Sequence, residues 1–221
     1  SLDVGPSAIS GELVPMPDYF PEEERSKQPG LFSMLRSIRT FFGSDKDPYL
    51  GFFGSFGYDL VFQFEPIELK HERPENYADA HLFLPDQLFV VDHRKETAEV
   101  RNYDFHMGTH NTHGLERSGK HFNLPSAQSK EVESDNNPGE YAEKVEKIIE
   151  GTKKGDFFEV VLSQVFTSGC LDTPRELFDK IRKVNPSPYE FLINLGDEQL
   201  VGASPEMFVR VKGSRVETCP I

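Results

Sequence analysis

The sequence predicts an α+β fold in which antiparallel sheets are flanked by helices. Apolar residues recur at helical spacing in three segments, and short runs of strand type lie between them. Successive runs are joined by short turns, which favours antiparallel pairing, because parallel strands need a long crossover. The 37% of hydrophobic residues and the 19 Phe side chains are enough for a packed core in a chain of 221 residues.

Local signals define the predicted elements. The helices are residues 30–43, one that starts at Asn137-Pro138-Gly139-Glu140, and one that starts at Thr173-Pro174-Arg175-Glu176. Gly151 and Gly155 are expected to end the second helix. The predicted strands are residues 49–59, which become tight and glycine-rich, the hairpin 88–93 and 99–105, and residues 157–166, 189–194, 199–201, 208–211 and 215–218.

Two regions are expected along the chain. Residues 1–136 form an N-terminal region, which begins with a connection over residues 1–29 and ends with a polar, exposed loop over residues 106–137. Residues 137–221 form the start of a second domain. The pattern stops at Ile221 directly after a strand, so the sheet is expected to be incomplete.

Composition argues against several classes of protein. The net charge of −13 makes nucleic acid a poor partner, because phosphate binding needs clustered Lys and Arg. No apolar run reaches the roughly 18 to 20 residues that a membrane helix requires, and the N-terminus has no signal-peptide pattern. Cys170 and Cys219 are expected to be free thiols in a reducing compartment, which indicates the cytoplasm.

Two motifs resemble a metal site and a phosphate loop, but their spacing favours a structural role without a ligand. The histidines of the polar loop lack the spacing of a metal site, so a solvated loop is favoured; they are His106, His110, His113 and His121. Gly51, Gly54 and Gly57 are not followed by the Lys and Ser or Thr of a phosphate loop, and they indicate close backbone packing.

Two proline-containing turns carry the candidate chemistry. The turn over residues 185–189 (Asn-Pro-Ser-Pro-Tyr) is either a rigid turn or one wall of a small-molecule pocket. In Ala203-Ser204-Pro205-Glu206, the last residue is either an exposed turn carboxylate or a proton donor. The residues alone favour the structural alternative in both cases.

Four segments, taken together, resemble the chorismate-binding enzyme family. They are residues 155–164 (Gly-Asp-Phe-Phe-Glu-Val-Val-Leu-Ser-Gln), 185–189, 202–206 (Gly-Ala-Ser-Pro-Glu) and 217–221 (Glu-Thr-Cys-Pro-Ile). The resemblance covers residues 49–221 and is closest to component I of anthranilate synthases. Residues 56–65, 72–76 and 84–86 are similar to a bacterial subgroup in which the synthase is fused to a glutamine amidotransferase.

The resemblance implies a fold, a reaction and partners. The fold is a pair of antiparallel sheets, roughly orthogonal, flanked by helices. The reaction converts chorismate and ammonia from glutamine to anthranilate and pyruvate, with Mg²⁺ as cofactor and tryptophan as feedback inhibitor. A glutamine amidotransferase domain or subunit is the expected partner.

The resemblance also implies roles for single residues. Glu206 is expected to be the acid that protonates the departing hydroxyl, and Glu159 and Thr218 are expected in the substrate pocket. The expected tryptophan-binding residues are Asn185, Pro186, Ser187, Pro188 and Tyr189. The family's Leu-Leu-Glu-Ser segment, catalytic His and Mg²⁺-binding glutamates have no match, so no residue here is named as a metal ligand. The chain alone is expected to be inactive.

Other functions stay open. Family members that add water have a Lys where this chain has Glu159, so the resemblance favours an aminating enzyme over isochorismate or salicylate synthases. Synthases of 2-amino-2-deoxyisochorismate and aminodeoxychorismate are the other siblings. Outside catalysis, the alternatives are a regulatory module that binds an amino acid and a zinc protein built on the loop histidines.

Overall fold

The computed structural model describes residues 2–4, 9–11, 21–43, 46–65, 67–69, 72–73, 77–117, 131–196 and 198–220. The chain divides into two compact units, Ser1–Lys120 and His121–Ile221. Residues 133–134 pair with residues 166–167, so they belong with the second unit. The domain boundary expected between residues 136 and 137 stays a prediction.

The secondary structure mixes helices with short strands. The α-helices are α1 (Leu31–Phe42), α2 (Glu140–Lys154) and α3 (Pro174–Val184), and 3₁₀ helices cover Glu22–Lys27 and Tyr58–Gln63. The strands are β1 (Leu2–Val4), β2 (Ile9–Gly11), β3 (Phe53–Phe56), β4 (Ala80–Phe83), β5 (Gln87–Asp92), β6 (Thr97–Asn102), β7 (His106–Met107), β8 (His110–Asn111), β9 (Glu133–Ser134), β10 (Phe166–Thr167), β11 (Tyr189–Asn194), β12 (Gln199–Ser204), β13 (Met207–Lys212) and β14 (Arg215–Cys219).

All strand pairing within the described ranges is antiparallel and occurs in two-stranded ribbons. The α+β class is therefore confirmed. The hairpin expected near residues 88–105 is β5–β6, and those expected after residue 188 are β11–β12 and β13–β14. The ribbon β1–β2 lies in a segment that was predicted to be only a connection.

The first unit places the glycine-rich segment against β4. Gly54 in β3 has φ of +151°, and a Cβ there would lie 2.0 Å from the His81 carbonyl oxygen. A Cβ at Gly57 would lie 2.9 Å from the Tyr77 hydroxyl. Close packing is thus confirmed at Gly54 and Gly57, whereas a Cβ at Gly51 would meet no described atom within 4 Å, so the prediction is wrong there. The partner strand β4 was not predicted.

Aromatic rings join α1 to its neighbours in the first unit. Phe32 lies 5.7 Å from Phe56 and 5.9 Å from Phe64, measured between ring centroids. Phe42 meets Phe105 edge-on at 5.5 Å. These offset and edge-on arrangements are the favourable geometries for aromatic pairs. The helix predicted at residues 30–43 is confirmed, and its apolar side makes these contacts.

An arginine connects the segment before β3 to β6. The guanidinium of Arg101 lies 3.0 Å from an Asp47 oxygen and 2.7 Å from a Glu99 oxygen, and it stacks over the Tyr49 ring at 4.6 Å. The Tyr103 hydroxyl also donates to Asp47, at 3.0 Å. The Glu99 and Asp47 carboxylates raise the pKa of Arg101, so it stays charged.

The start of α2 differs from the prediction. Gly139, with φ of +89°, is the residue before the helix, and Asn137 does not cap it. The Asn137 backbone and side-chain N–H groups instead donate to the Glu140 carboxylate, each at 3.1 Å. Asn137 lies two residues before the cap position, so its side chain cannot reach the free N–H groups of the first helical turn. The left-handed conformation at the cap position suits glycine.

The Glu140 carboxylate holds this end of α2. It accepts from Lys144 at 2.8 Å, and this bond together with those from Asn137 holds the pKa of Glu140 at about 2. Because the folded pKa lies below the ordinary value of 4.5, these contacts stabilise the fold above that value. Their contribution is lost as the pH falls toward 2.

The helix α2 also ends later than predicted. It continues through Gly151 to Lys154, and Gly155, with φ of +82°, follows it. Gly151 is buried because the Phe157 ring lies against it, where a Cβ would come within 2.4 Å of Cζ. Gly151 therefore serves a close approach, and Gly155 alone ends the helix.

The strand predicted at residues 157–166 is wrong for most of its length. Only β10 is a strand, and the preceding residues run beside α2 without a strand partner in the described part of the chain. The Tyr141 hydroxyl donates to the Leu162 carbonyl at 3.3 Å, while Phe158 is 98% exposed. Apolar composition predicts an extended backbone here, but a strand also requires a partner for its N–H and C=O groups.

The helix α3 begins as predicted, with a complete capping box. The Glu176 N–H donates to the Thr173 hydroxyl, and the Glu176 carboxylate accepts from the Thr173 N–H at 2.8 Å. The bonds that the Glu176 carboxylate accepts from the Thr173 N–H and from the Thr173 hydroxyl lower the pKa of Glu176. Pro174 occupies the first turn, where its missing N–H is tolerated.

The hairpin β11–β12 lies against α3. Its six cross-strand pairs run from Asn194 and Gln199 at the turn to Tyr189 and Ser204 at the open end. The Phe191 ring covers Gly202, its cross-strand partner, where a Cβ would come within 2.3 Å of the ring. This close approach holds the hairpin register that the candidate site depends on.

Few apolar side chains are fully covered in the described residues. The buried ones are Leu60, Leu195 and Met207, whereas Val161 is 87% and Phe208 is 85% exposed. Both cysteines are free and exposed, as predicted. Over the ranges given above, no helix is long and apolar enough to cross a membrane.

The capping box generates a prediction for α3. Thr173→Ala removes the acceptor for the Glu176 N–H and should lower the free energy of unfolding by about 1 kcal/mol. Thr173→Ser keeps the hydroxyl and serves as the matched control, with little change expected. Urea unfolding followed by circular dichroism measures both variants, and equal stability of Thr173→Ala and the parent would contradict the role of this cap.

Candidate functional site

The open end of the β11–β12 hairpin brings the two proline-containing turns together. Tyr189, which ends the Asn-Pro-Ser-Pro-Tyr turn, is the direct partner of Ser204 in the strand pair. Glu206 follows Ser204 by two residues, before β13 begins at Met207. Turns that lie 17 residues apart in sequence, from Ser187 to Ser204, are thus neighbours in space.

The first turn is fixed at both of its ends. The Asn185 N–H donates to the Ile181 carbonyl at 2.8 Å, which closes the last turn of α3. The Ser187 N–H donates to a Glu190 carboxylate oxygen at 3.3 Å. The other Glu190 oxygen lies 2.9 Å from Arg182 Nε, near the end of α3. The turn is therefore tied to the helix before it and to the strand after it.

Several side chains of this turn are open to solvent. Asn185, Pro186 and Pro188 are exposed, and Tyr189 is 40% exposed, whereas Ser187 is half-buried. Two prolines restrict the backbone, so the exposed rings are held at low conformational cost. Such a surface can contact a small apolar or aromatic ligand without first ordering itself.

The Ser187 hydroxyl joins the two turns directly. It donates to the Ser204 carbonyl oxygen and accepts from the Tyr189 N–H at 3.2 Å. The Ser187 hydroxyl thus makes one hydrogen bond as donor and one as acceptor, and both partners belong to the site.

The second turn presents Glu206 to solvent. The Ser204 hydroxyl donates to the Glu206 carbonyl at 3.2 Å and accepts from the Glu206 N–H at 3.4 Å. The Glu206 side chain is exposed, while Met207 directly after it is buried. The backbone of Glu206 is therefore fixed on both sides, and its carboxyl group remains accessible.

Glu159 and Thr218 lie on other elements. Glu159 is exposed in the segment beside α2 and Glu206 is exposed before β13. Thr218 is exposed in β14, opposite the irregular stretch of β13 between Met207 and Arg210. The structure thus brings together the turn and Glu206, and the roles of Glu159 and Thr218 stay predictions.

The loop histidines form local structure. His106 and His110 lie on the β7–β8 ribbon, where the prediction had only a loop, and His121 lies outside the described residues. His113 Nδ1 lies 3.0 Å from Asp104 Oδ2, and Arg117 binds the other oxygen at 2.6 Å. The hydrogen bond from His113 and the charge of Arg117 lower the pKa of Asp104.

No metal site is formed by the part of the chain that the structure describes. Groups of three or more His, Cys, Asp or Glu side chains placed to hold an ion are absent from those ranges. These described residues therefore do not fit a Mg²⁺ site, which needs several carboxylate or water oxygens around one point.

The sequence prediction missed two supporting groups. Ser204 holds the backbone of Glu206, and Glu190 holds the backbone of the first turn. A signal for Ser204 existed, because Ser two residues before a backbone N–H is the spacing at which a side chain closes its own turn. Glu190 gave no comparable signal, since its role depends on the hairpin geometry.

Comparisons with known proteins identify the family of the chain. The family model described as chorismate binding enzyme matches residues 18–221. The chain is 43% identical to an anthranilate synthase from Azospirillum brasilense over 221 residues, which are 100% of this chain and 30% of that protein. It is 30% identical to anthranilate synthase component 1 from Vibrio cholerae over 92% of this chain and 42% of that protein.

A solved structure gives the same result. Anthranilate synthase component I from Streptococcus pneumoniae matches with a TM-score of 0.67 and 26% identity over 85% of this chain and 46% of that chain. The chain therefore spans less than half the length of each of these relatives. Because the family match includes both turns, the hairpin that joins them and most of the remaining sequence, the chain belongs to the chorismate binding enzyme family.

Proposed function

We propose that these 221 residues are part of a longer anthranilate synthase, which converts chorismate and ammonia to anthranilate and pyruvate in tryptophan biosynthesis in the cytoplasm. The observation that carries the proposal is the position of Glu206 beside the Asn-Pro-Ser-Pro-Tyr turn at one end of the β11–β12 hairpin. The relatives named anthranilate synthase support the choice of substrate and product.

The proposed chemistry assigns a proton transfer to Glu206. Ammonia forms a bond to C2 of chorismate and loses a proton to become an amine, both conjugated double bonds of the ring shift by one position, and the C4–O bond breaks. The Glu206 carboxyl group donates a proton to the departing hydroxyl, which leaves as water. The C3–O bond to the enolpyruvyl group then breaks, C2 loses its hydrogen as a proton so that the ring becomes aromatic, and the enolpyruvyl methylene carbon takes up a proton to give pyruvate. An exposed carboxyl on a fixed backbone is suited to reach a bound substrate.

Mg²⁺ is proposed as the cofactor of the complete enzyme, where it would neutralise the carboxylates of the substrate. The described residues offer no cluster for it, so we assign its ligands to the rest of the enzyme. The same assignment holds for the other residues that bind the chorismate dianion. Glu159 and Thr218 are proposed to line the substrate pocket only in that complete assembly.

A fused glutamine amidotransferase is proposed as the source of ammonia. The same number of aligned residues is 30% of the Azospirillum protein but 42% of the Vibrio protein, so the former is about 1.4 times as long. The extra length is sufficient for a further domain of typical size. The higher identity to the longer protein favours the fused arrangement here.

Tryptophan is proposed to bind at the Asn-Pro-Ser-Pro-Tyr turn as feedback inhibitor. The exposed Tyr189 ring and the exposed Pro188 ring offer an apolar, pre-organised contact for an indole. A regulatory module without catalysis would also have this surface, but it would not require an accessible carboxyl group at Glu206 beside the turn.

Product analysis tests the proposed reaction. The full-length enzyme given chorismate, Mg²⁺ and ammonia should release anthranilate and pyruvate in equal amounts, and without ammonia it should form essentially no isochorismate. The 221-residue chain alone should be inactive, because the ranges that the structure describes form no metal site. Liquid chromatography of the products decides, and isochorismate or salicylate as the main product would overturn the assignment.

The role of Glu206 generates a second prediction. Glu206→Gln in the full-length enzyme keeps the size of the side chain but removes the transferable proton, so kcat should fall by roughly 10²- to 10⁴-fold with little change in the chorismate KM. Glu198→Gln, at the opposite end of the same hairpin, is the matched control and should retain full activity. A kcat of Glu206→Gln within a few-fold of the parent value would show that Glu206 has only a structural role in its turn.

The tryptophan turn generates a third prediction. Pro188→Ala and Tyr189→Ala each remove an apolar ring from the surface and should raise the tryptophan concentration for half inhibition by roughly 5- to 150-fold. The turnover number without tryptophan should change much less. Pro174→Ala in α3 is the control for proline removal. Unchanged inhibition in both turn variants would exclude this turn from the inhibitor pocket.

A further inference from the structure

A continuous set of contacts runs from the end of α3 to Glu206. Arg182 holds Glu190, Glu190 accepts from the Ser187 N–H, the Ser187 hydroxyl donates to the Ser204 carbonyl, and the Ser204 hydroxyl bonds both backbone groups of Glu206. Each member touches the next one directly, and two of the links are made by single hydroxyl groups.

We propose that Ser187 and Ser204 are positioning residues for Glu206. The inference rests on the proposed function, in which Glu206 gives a proton to the substrate. It adds that the direction of the Glu206 carboxyl group depends on these two hydroxyls, so that the Asn-Pro-Ser-Pro-Tyr turn and the acid move as one body.

Glu206 needs such support because it lies outside the strand ladders. The last pair of the β11–β12 hairpin is Tyr189 with Ser204, and the first pair of β13–β14 is Met207 with Cys219. Pro205, between the ladders, has no N–H to donate. The Ser204 hydroxyl is the group that bonds the Glu206 N–H and carbonyl in the described structure.

Ser204 is itself oriented by Ser187. Its carbonyl accepts from the Ser187 hydroxyl at the point where the ladder ends. The Ser187 hydroxyl is half-buried and also accepts from the Tyr189 N–H, so its direction is fixed by two bonds. Loss of this hydroxyl removes a side-chain bond to the last residue of β12, so that the end of the strand, and Glu206 after it, is held less firmly.

The expected kinetic effect follows from the geometry of proton transfer. A general acid must come within hydrogen-bond distance of the group that it protonates, and a displacement of about 1 Å is enough to cost up to about 100-fold in rate. A shift of the acid affects the chemical step more than substrate binding. Ser187→Ala should therefore lower kcat by about 10- to 100-fold and leave the chorismate KM within a few-fold.

A double-mutant cycle in the full-length enzyme separates positioning from general structural support. If Ser187 acts through Glu206, Ser187→Ala should have almost no further effect on kcat in the Glu206→Gln background. Ser187→Thr keeps a hydroxyl and should restore most of the rate. Ser214→Ala, in the exposed β13–β14 turn, removes a serine outside this set of contacts and should be silent.

The outcomes are distinct. An additive cycle, or an active Ser187→Ala beside a strongly impaired Glu206→Gln, would overturn the positioning role and leave the proposed function standing. Absence of anthranilate from the parent enzyme would refute the proposed function itself. Where Ser187→Ala does not fold, Ser204→Ala provides the same cycle, since it deletes the other hydroxyl and retains the backbone pairing. A non-additive result with Ser204→Ala and Glu206→Gln supports the inference, and an additive result overturns it.

Discussion

Backbone pairing of β11 with β12 places Tyr189 opposite Ser204, and every contact of the candidate site depends on that register. A slip of one residue would turn Phe191 away from Gly202 and would separate the Ser187 hydroxyl from the Ser204 carbonyl. The helix α3 lies on the same hairpin and connects to it through Arg182 and Glu190. The site is thus an extension of one hairpin and one helix.

Elements with strong local signals were predictable from the sequence. Thr173 and Glu176 indicated the start of α3, and the apolar run of β5, followed by a short turn and a second strand-type run, indicated the β5–β6 hairpin. The prediction failed where the outcome depended on distant partners. The apolar segment before β10 has the composition of a strand but no strand partner among the described residues. The four residues of β4 are too few to be recognised before its partner β3 is known.

The candidate site also has features that were predictable from the sequence and features that were not. The Asn-Pro-Ser-Pro-Tyr and Ser-Pro-Glu motifs could be found in the sequence because proline and polar turn residues mark them directly. Their contact could not be found, because it is created by the hairpin that joins them. Asn137 shows where a local rule fails. An Asn before Pro and Gly suggests a helix cap, but Gly139 in the left-handed conformation is the residue that precedes the helix. The N–H groups of Asn137 donate to the Glu140 carboxylate instead.

The segment from Thr173 to Ser204 also has a consequence for how the chain folds. Its helix and both strands are contiguous in sequence, and their contacts span few residues, so only short loops must close to form them. Structures of such low contact order form quickly, before contacts between distant parts of a chain. During synthesis this segment can therefore fold soon after it leaves the ribosome, and the later parts of an assembly would dock onto a scaffold whose geometry already exists.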